Sequence, residues 1–337
     1  MNAFRALRIH ETQVSDKPAK IDARFELLEL DALTPGEVII DVEYSGINYK
    51  DALAATGAGR ILRRYPLVGG IDLAGTVRSS EDSRFNAGDP VLVTGSGLSE
   101  SFDGGYSEVA RVKADSVIAM PKGLDAFRAM ALGTAGFTAA LAIHRMERNG
   151  QQPSQGPIVV TGASGGVGSI AVDMLAGRGY EVIAITGKRD SFEYLQSLGA
   201  KKVVPRDEFE PGKRALEPVR YAGAIDNVGG ETLAGLTRQV DFWGNIASIG
   251  LTGGADLNTT VMPFILRGIN LLGINSSATR RAERLDVWAR IAGDCAPRHL
   301  DRIATRTLPF AELPAAFPAY LEGKITGRTV VKIGSRS

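Results

Sequence analysis

A glycine-rich turn set between two apolar runs constrains this chain more than any other stretch. Residues 158–160 (IVV) read as a short buried strand, 161–168 (TGASGGVG) as the turn, and SIAVDMLAGRG as a helix closed by Gly179. Ala163, Gly165 and Gly168 have the spacing of a dinucleotide-binding loop, with alanine where its first glycine usually stands. Gly165 lets the backbone approach a pyrophosphate, Gly168 lets the helix pack on the strand, and the amides opening the helix meet the phosphates. A tight turn without a ligand is the bland alternative. The strand–turn–helix context argues against it.

The segments that follow repeat the pattern. EVIAIT (181–186) is a second strand, and Asp190 starts a helix with Glu193 as a capping box and Phe192, Leu195 and Leu198 on one side. Strands at 202–204, 222–226, 245–249 and 270–274 alternate with helical stretches, which predicts a doubly wound parallel sheet. A site that prefers NADH usually carries an acidic residue at the end of the second strand, to hold the ribose diol. Here the residues are Thr186, Gly187, Lys188 and Arg189. The Lys188 cation and the Thr186 hydroxyl suit a 2′-phosphate, so NADPH is expected, with Arg206 a second candidate for that phosphate. A solvated charge pair is the competing reading of Lys188.

Residues 1–120 have a different texture. Val38, Ile40, Val42 and Tyr44 alternate with Ile39, Asp41 and Glu43, and short runs follow at 66–68, 73–78, 90–94 and 106–112 between Gly and Asp turns. They predict a compact, bent β-domain, followed by a long apolar helix from about Leu124 to His144. The segment from about 297 reads as a helix (315–322) and a strand, TVVKI. It is expected to return to the first domain, because an orphan strand would be costly.

Composition removes several classes. With 39 Lys and Arg against 38 Asp and Glu in 337 residues, the charge of +1 gives no signal for nucleic acid. The single Cys295 excludes a disulfide framework and a multi-cysteine zinc site. No uninterrupted apolar run is long enough for a spanning helix, and MNAFRALRIHE lacks the core of a signal peptide. No membrane association and a cytoplasmic location are therefore expected. The turn also fits a short-chain dehydrogenase pattern (Thr161, Gly162, Gly166, Gly168), and Tyr320 and Lys324 match that family's Tyr-x-x-x-Lys. That reading is set aside: about 155 residues precede the nucleotide unit, and Tyr320 sits just before the last strand.

Over essentially its whole length the chain resembles the zinc-independent medium-chain dehydrogenase/reductases of the quinone oxidoreductase type. The strings that carry the resemblance include YSGINYKDAL (44–53), PLVGGIDLAGTV (66–77), GDPVLVTG (88–95), GGYSEVARV (104–112), GTAGFTAAL (133–141), VVTGASGGVGSIAV (159–172) and PFILRGINLLGINS (263–276). INYKDAL, GTAGFTA, VTGASGGVGS and TVMPFILR point to the branch of NADPH-dependent acrylyl-CoA reductases. Zinc-dependent relatives carry a histidine and a glutamate where this chain has Gly69-Gly70-Ile71-Asp72, and His10, His144 and His299 are scattered, so no metal is expected.

The resemblance implies an α/β fold with two domains. A GroES-like domain would comprise 1–124 with 297–337, and a Rossmann domain 125–296 would bind NADPH. It implies that Tyr49 lies against the nicotinamide half of the cofactor and that Asn48 faces the substrate pocket. Ser164, Gly165, Gly166 and Val167 would bind the pyrophosphate, Thr186, Gly187, Lys188 and Arg206 the 2′-phosphate, and Leu251 and Ser276 would neighbour the nicotinamide. The implied reaction is hydride transfer to an activated C=C bond, acryloyl-CoA to propanoyl-CoA, in a homodimer with 263–276 as a pairing edge. The Asn48 amide, the Tyr49 hydroxyl or a backbone amide would stabilise the enolate oxygen, and Tyr49 or water would protonate the α-carbon. Arg60, Arg63 and Arg64 are candidates for coenzyme A phosphates, against the commoner reading of a solvated charged face. A quinone or enone reductase and a non-catalytic NADPH-binding protein are the competing functions.

Overall fold

The computed structural model describes residues 3–13 and 19–334. Strands β1 (Phe4–Thr12), β2 (Lys20–Leu28), β3 (Val38–Gly46), β4 (Leu67–Val68), β5 (Asp72–Ser80), β6 (Pro90–Thr94), β7 (Val109–Val112) and β8 (Ile118–Ala119) come first. Next are β9 (Ile158–Thr161), β10 (Val182–Thr186), β11 (Lys202–Pro205), β12 (Tyr221–Asp226), β13 (Val240–Ser248) and β14 (Asn270–Gly273). Strands β15 (Arg306–Pro309) and β16 (Thr329–Lys332) lie last. The chain divides into two compact units: residues 1–134, 276–286 and 304–337 form the first, and residues 135–275 with 287–303 the second.

The first unit is the bent β-domain of the sequence reading. One sheet runs β15-β16-β3-β5-β6-β8 with β7 also on β3, and a smaller one runs β2-β1-β4. Alternation along β3 sends Val38, Ile40 and Val42 into a core with Leu7, Leu73, Val91, Tyr106 and Phe317. Each such side chain contributes about 1.5–3 kcal/mol when fully buried. The last strand does return here: β16 pairs antiparallel with β3, Val330 opposite Gly46. Helix α1 (Tyr49–Thr56) leaves the end of β3 and stops at Gly57, whose φ of +74° suits a residue without Cβ.

The long apolar helix lies over Ala126–Arg148 (α2), but it is not continuous. Gly133 adopts φ +52° and ψ −154°, which breaks it one residue before Thr134. This is the only stretch among the described residues with the length and apolarity of a membrane span, and 78% of its most apolar window is buried in the protein.

The second unit is a six-stranded parallel sheet in the order β11-β10-β9-β12-β13-β14. Its strand order reverses between β9 and β12, so a ligand is expected outside the carboxyl ends of those two strands. Val159, Ile185, Ala224, Leu236 and Ile246 supply the core. Helix α3 (Gly166–Gly177) follows β9, and Gly179 has the expected positive φ. One local expectation fails. Residues Arg189–Ser191 form a 3-10 turn, and α4 begins at Phe192 with Ser191 ahead of it, so no Asp190–Glu193 box forms. The Ser191 hydroxyl donates to the Lys188 carbonyl (2.7 Å) and closes that turn instead.

Candidate active site

Two sets of residues carry chemistry, one in each unit. In the second unit the glycine turn behaves as its spacing predicted. A Cβ on Gly168 would stand 2.3 Å from the Gly162 carbonyl oxygen, so only glycine seats α3 against the turn. Gly165 precedes the helix with no side chain capping it, which leaves the first amides of α3 open to an anion. At Gly165 a Cβ would meet only the Gly162 oxygen, at 3.3 Å, so glycine here is a matter of what approaches from outside.

Beyond β10 the candidate phosphate residues divide. The Arg206 guanidinium lies over Gly187, 3.2 Å from where a Cβ would be, and Lys188 is half-buried beside it. Arg189 is turned to Asp207 and Glu208. Thr186 is buried, and its hydroxyl faces the hydroxyls of Ser164 (2.9 Å) and Ser191 (3.4 Å) while accepting from the Lys188 amide (3.1 Å). Thr186 therefore shapes the turn from within, and the positive charge there comes from the half-buried Lys188 and the exposed Arg206.

At the reversal of strand order, the Thr161 hydroxyl donates to Asp226 (2.6 Å), whose carboxyl pKa burial raises. Asn227 binds the Thr161 carbonyl through Nδ2 (2.8 Å), and its buried Oδ1 has no partner among the described residues. The sequence reading did not single out Asn227. Its position directly after β12, on the ligand-binding edge of the sheet, was the available signal. A buried acceptor without a donor, open helix amides and two cations fit a phosphorylated dinucleotide with ribose hydroxyls to donate. Leu251 is exposed behind Gly229, with its Cα 3.1 Å from a Cβ built there. Ser276 belongs to the first unit, where its carbonyl accepts from the buried Arg284 (2.8 Å). Burial lowers the Arg284 pKa to about 10.

In the first unit Tyr49 opens helix α1 and is 44% exposed, so its ring and hydroxyl are accessible. Asn48 is held from both ends. Nδ2 donates to Asp51 Oδ2 (3.1 Å) and Asp72 Oδ2 (2.7 Å), and Oδ1 accepts from Arg328 Nη1 (2.9 Å). Both amide hydrogens are thus engaged, and the expected donation from Asn48 to a substrate oxygen has no hydrogen left to use. Asp51, Asp72 and Arg328 are buried, and sequence reasoning gave none of them a role. Burial, and next the like charge of Asp72, pushes the Asp51 carboxyl up to about 7. Lys50 turns the other way and pairs with Glu100, which also accepts from the Ser277 hydroxyl.

Among the described residues no group of three or more His, Cys, Asp or Glu side chains is arranged to hold a metal. His10 pairs with Glu26 and His299 with Asp173.

Two family models cover most of the chain: the alcohol dehydrogenase GroES-like domain matches residues 34–122 and the zinc-binding dehydrogenase domain residues 166–292. The acrylyl-CoA reductase AcuI of Ruegeria pomeroyi is 46% identical over 98% of this chain and the full length of that protein. The chain belongs to the medium-chain dehydrogenase/reductases, in the zinc-independent, quinone oxidoreductase-like family. Members of that family match in structure as well. A crystal structure of Escherichia coli YhdH with bound NADPH is 47% identical, with a TM-score of 0.92 over 98% of this chain and all of that one. Bacillus subtilis YhfP, named as a quinone oxidoreductase, is 46% identical over 93% of this chain and 95% of its own length. A structure titled as the B. subtilis protein yhfP with NAD bound has a TM-score of 0.93 at 44% identity, covering 98% of this chain and all of that one.

Proposed function

We propose that this chain is an NADPH-dependent reductase of activated C=C bonds whose substrate is acryloyl-CoA and whose product is propanoyl-CoA. The observation that carries the substrate is the full-length match to an acrylyl-CoA reductase at 46% identity. The choice of NADPH over NADH rests on Lys188 and Arg206, where an NADH site would hold a carboxylate. When bound, the dinucleotide supplies a hydride to the β-carbon of the acyl group. The protein orients the reactants and manages the charge and the proton. The open amides of α3 and the Gly165 backbone take the pyrophosphate, together with Ser164, Gly166 and Val167, and the Asn227 Oδ1 accepts a ribose hydroxyl. Leu251 and Ser276 are assigned to the nicotinamide end. The Tyr49 hydroxyl donates to the enolate oxygen as charge develops there, then passes its proton to the α-carbon, and the tyrosinate regains a proton from water, to which Tyr49 is exposed.

Arg60, Arg63 and Arg64 are all exposed and together offer three cations for the coenzyme A phosphates. The enzyme is assigned to the cytoplasm and to a homodimer formed through the free edge at β14. Phe242, Trp243, Val261, Ile265 and Leu266, which precede that strand in the chain, are 52–72% exposed, and such a dimer would cover them.

The test is NADPH oxidation against acryloyl-CoA, crotonoyl-CoA, free acrylate and 1,4-benzoquinone. Acryloyl-CoA is expected to lead in kcat/KM by more than about tenfold, a difference worth roughly 1.4 kcal/mol of transition-state binding. Rates within tenfold across the panel defeat the assignment, and a lead for benzoquinone transfers it to the quinone reading favoured by the YhfP relationship. Tight NADPH binding without turnover on any acceptor would leave a non-catalytic binding protein.

A further inference from the structure

Three groups converge on the side chain of Asn48, and their chemistry leaves no choice in how it points. A guanidinium only donates, so Oδ1 must face Arg328, and Nδ2 is left to donate to the carboxyl oxygens of Asp51 and Asp72. Each of these partners is immobilised in turn. Asp51, 1% exposed, accepts from the Ile71 amide at Oδ1 (2.9 Å) and the Asn48 amide at Oδ2 (2.8 Å). Asp72, fully buried, accepts from the Thr134 amide and hydroxyl (3.0 and 2.6 Å). Arg328, 3% exposed, donates to the carbonyls of Ala131, Ile47 and Met130, and its Nη2 stands 3.9 Å from Asp72.

Two glycines admit that guanidinium. A Cβ on Gly46 or on Gly133 would stand 2.7 Å from Arg328 Nη2, and one on Gly133 would also lie 2.6 Å from Asp72 Oδ2. Asparagine is the residue this crowd requires. Aspartate at 48 would bring a third carboxylate, and leucine would leave buried donors and acceptors without partners, at about 1–3 kcal/mol each. An accessible amide that hydrogen-bonds a substrate would need at least one unused hydrogen, and Asn48 has none.

We infer that Asn48 is a positioning residue, whose amide locks the start of helix α1 to the Asp72–Arg328 pair and so fixes the direction in which Tyr49 leaves the backbone. It acts on the reaction through Tyr49 and does not touch the substrate. This rests on the reading of Tyr49 as the proton donor. Tyr49 is the first residue of α1, and Asn48 and Asp51 are the residues that set where that helix begins.

One carboxyl of this lattice is also shifted by its neighbours. Asp51 is faced by Asp72 on β5, Tyr106 between β6 and β7, and Tyr320 on the helix Leu313–Leu321, while Arg328, ahead of β16, reaches the Asn48 amide beside it. Burial and the Asp72 charge raise its carboxyl, so removing that charge lowers it.

The experiment is a double-variant cycle of Asn48→Ala and Asp72→Asn in the full-length enzyme, with NADPH affinity and thermal melting as controls. Each single variant is expected to lower kcat about tenfold with the KM for acryloyl-CoA changed less than threefold. The double variant is expected to be no more than about twofold slower than the worse single, because both disrupt one unit. In Asp72→Asn the near-neutral limb of the kcat–pH profile moves to lower pH, a response that loss of packing alone does not produce. Losses that multiply to about a hundredfold, or a tenfold rise in KM with kcat retained in Asn48→Ala, overturn the inference and return the amide to the substrate. If Asn48→Ala fails to fold, Asn48→Ser replaces it in the same cycle. Tyr49→Phe is measured alongside. Unchanged turnover there would sink the donor role of Tyr49, whereas the cycle tests the coupling of Asn48 to Asp72 whichever way Tyr49 reads.

Discussion

At Gly187 the missing side chain is what admits Arg206. A Cβ there would stand 3.2 Å from the guanidinium, so the cation lies on bare backbone at the end of β10. One charge-assisted hydrogen bond to a phosphate contributes about 1.5–3 kcal/mol. Arg206→Ala should therefore weaken NADPH binding about tenfold to a hundredfold and leave NADH binding unchanged, as read by fluorescence titration with both. Equal losses for the two dinucleotides would remove Arg206 from the phosphate. Lys188 and Arg206 could be named as candidates from the sequence because a cation in place of a carboxylate is itself a signal. The inward turn of Thr186 was not, since nothing in a linear string says that Ser164 and Ser191 fold onto its hydroxyl. Asp72 and Arg328 were hidden for a related reason. They are far apart in the chain, and their meeting depends on β16 lying beside β3.

Helix α3 is held by two glycines with different jobs. Gly168 has backbone against it on the protein side, with the Gly162 oxygen 2.3 Å from a built Cβ, whereas Gly165 faces outward with an ordinary φ of −78°. Gly168→Val should destabilise the second unit by at least about 1–3 kcal/mol, because overpacking forces the helix off its turn. Gly165→Ala should melt within a degree or two of the parent and still lose NADPH affinity about tenfold. Urea denaturation with a binding titration separates the two. A Gly165→Ala protein with full affinity would show that the backbone there is not approached by the pyrophosphate. Element type was readable throughout this unit from the apolar runs and their turns. The break in α2 was not, because no charged residue interrupts 129–143 on either side of Gly133, and Gly133 yields to a carboxylate brought in from β5.

At the scale of the whole molecule, the proposed homodimer is tested at the exposed apolar side chains near β14 in the chain. Paired introduction of charge, Val261→Glu with Ile265→Glu, is expected to give a monomer in sedimentation velocity with the parallel sheet intact by circular dichroism; an unchanged dimer would place the interface elsewhere. The parallel sheet of the second unit was foreseeable from strand–helix alternation, because parallel neighbours need long crossovers, but its strand order was not. The return of the last strand to the first unit was also foreseeable, from the cost of leaving a strand unpaired, though not its pairing with β3. Its partner residue was not, since register depends on side-chain fit that a single sequence does not display. That return has a temporal meaning. At roughly 5–20 residues per second, the ribosome delivers Val330 on the order of 15–60 seconds after Gly46. Until then the end of β3 lacks the strand that covers it, and Arg328 has not been made. The lattice around Asn48 therefore takes shape after the parallel sheet during translation, and a nascent chain stalled before residue 328 would carry a finished parallel sheet and an unlocked Tyr49.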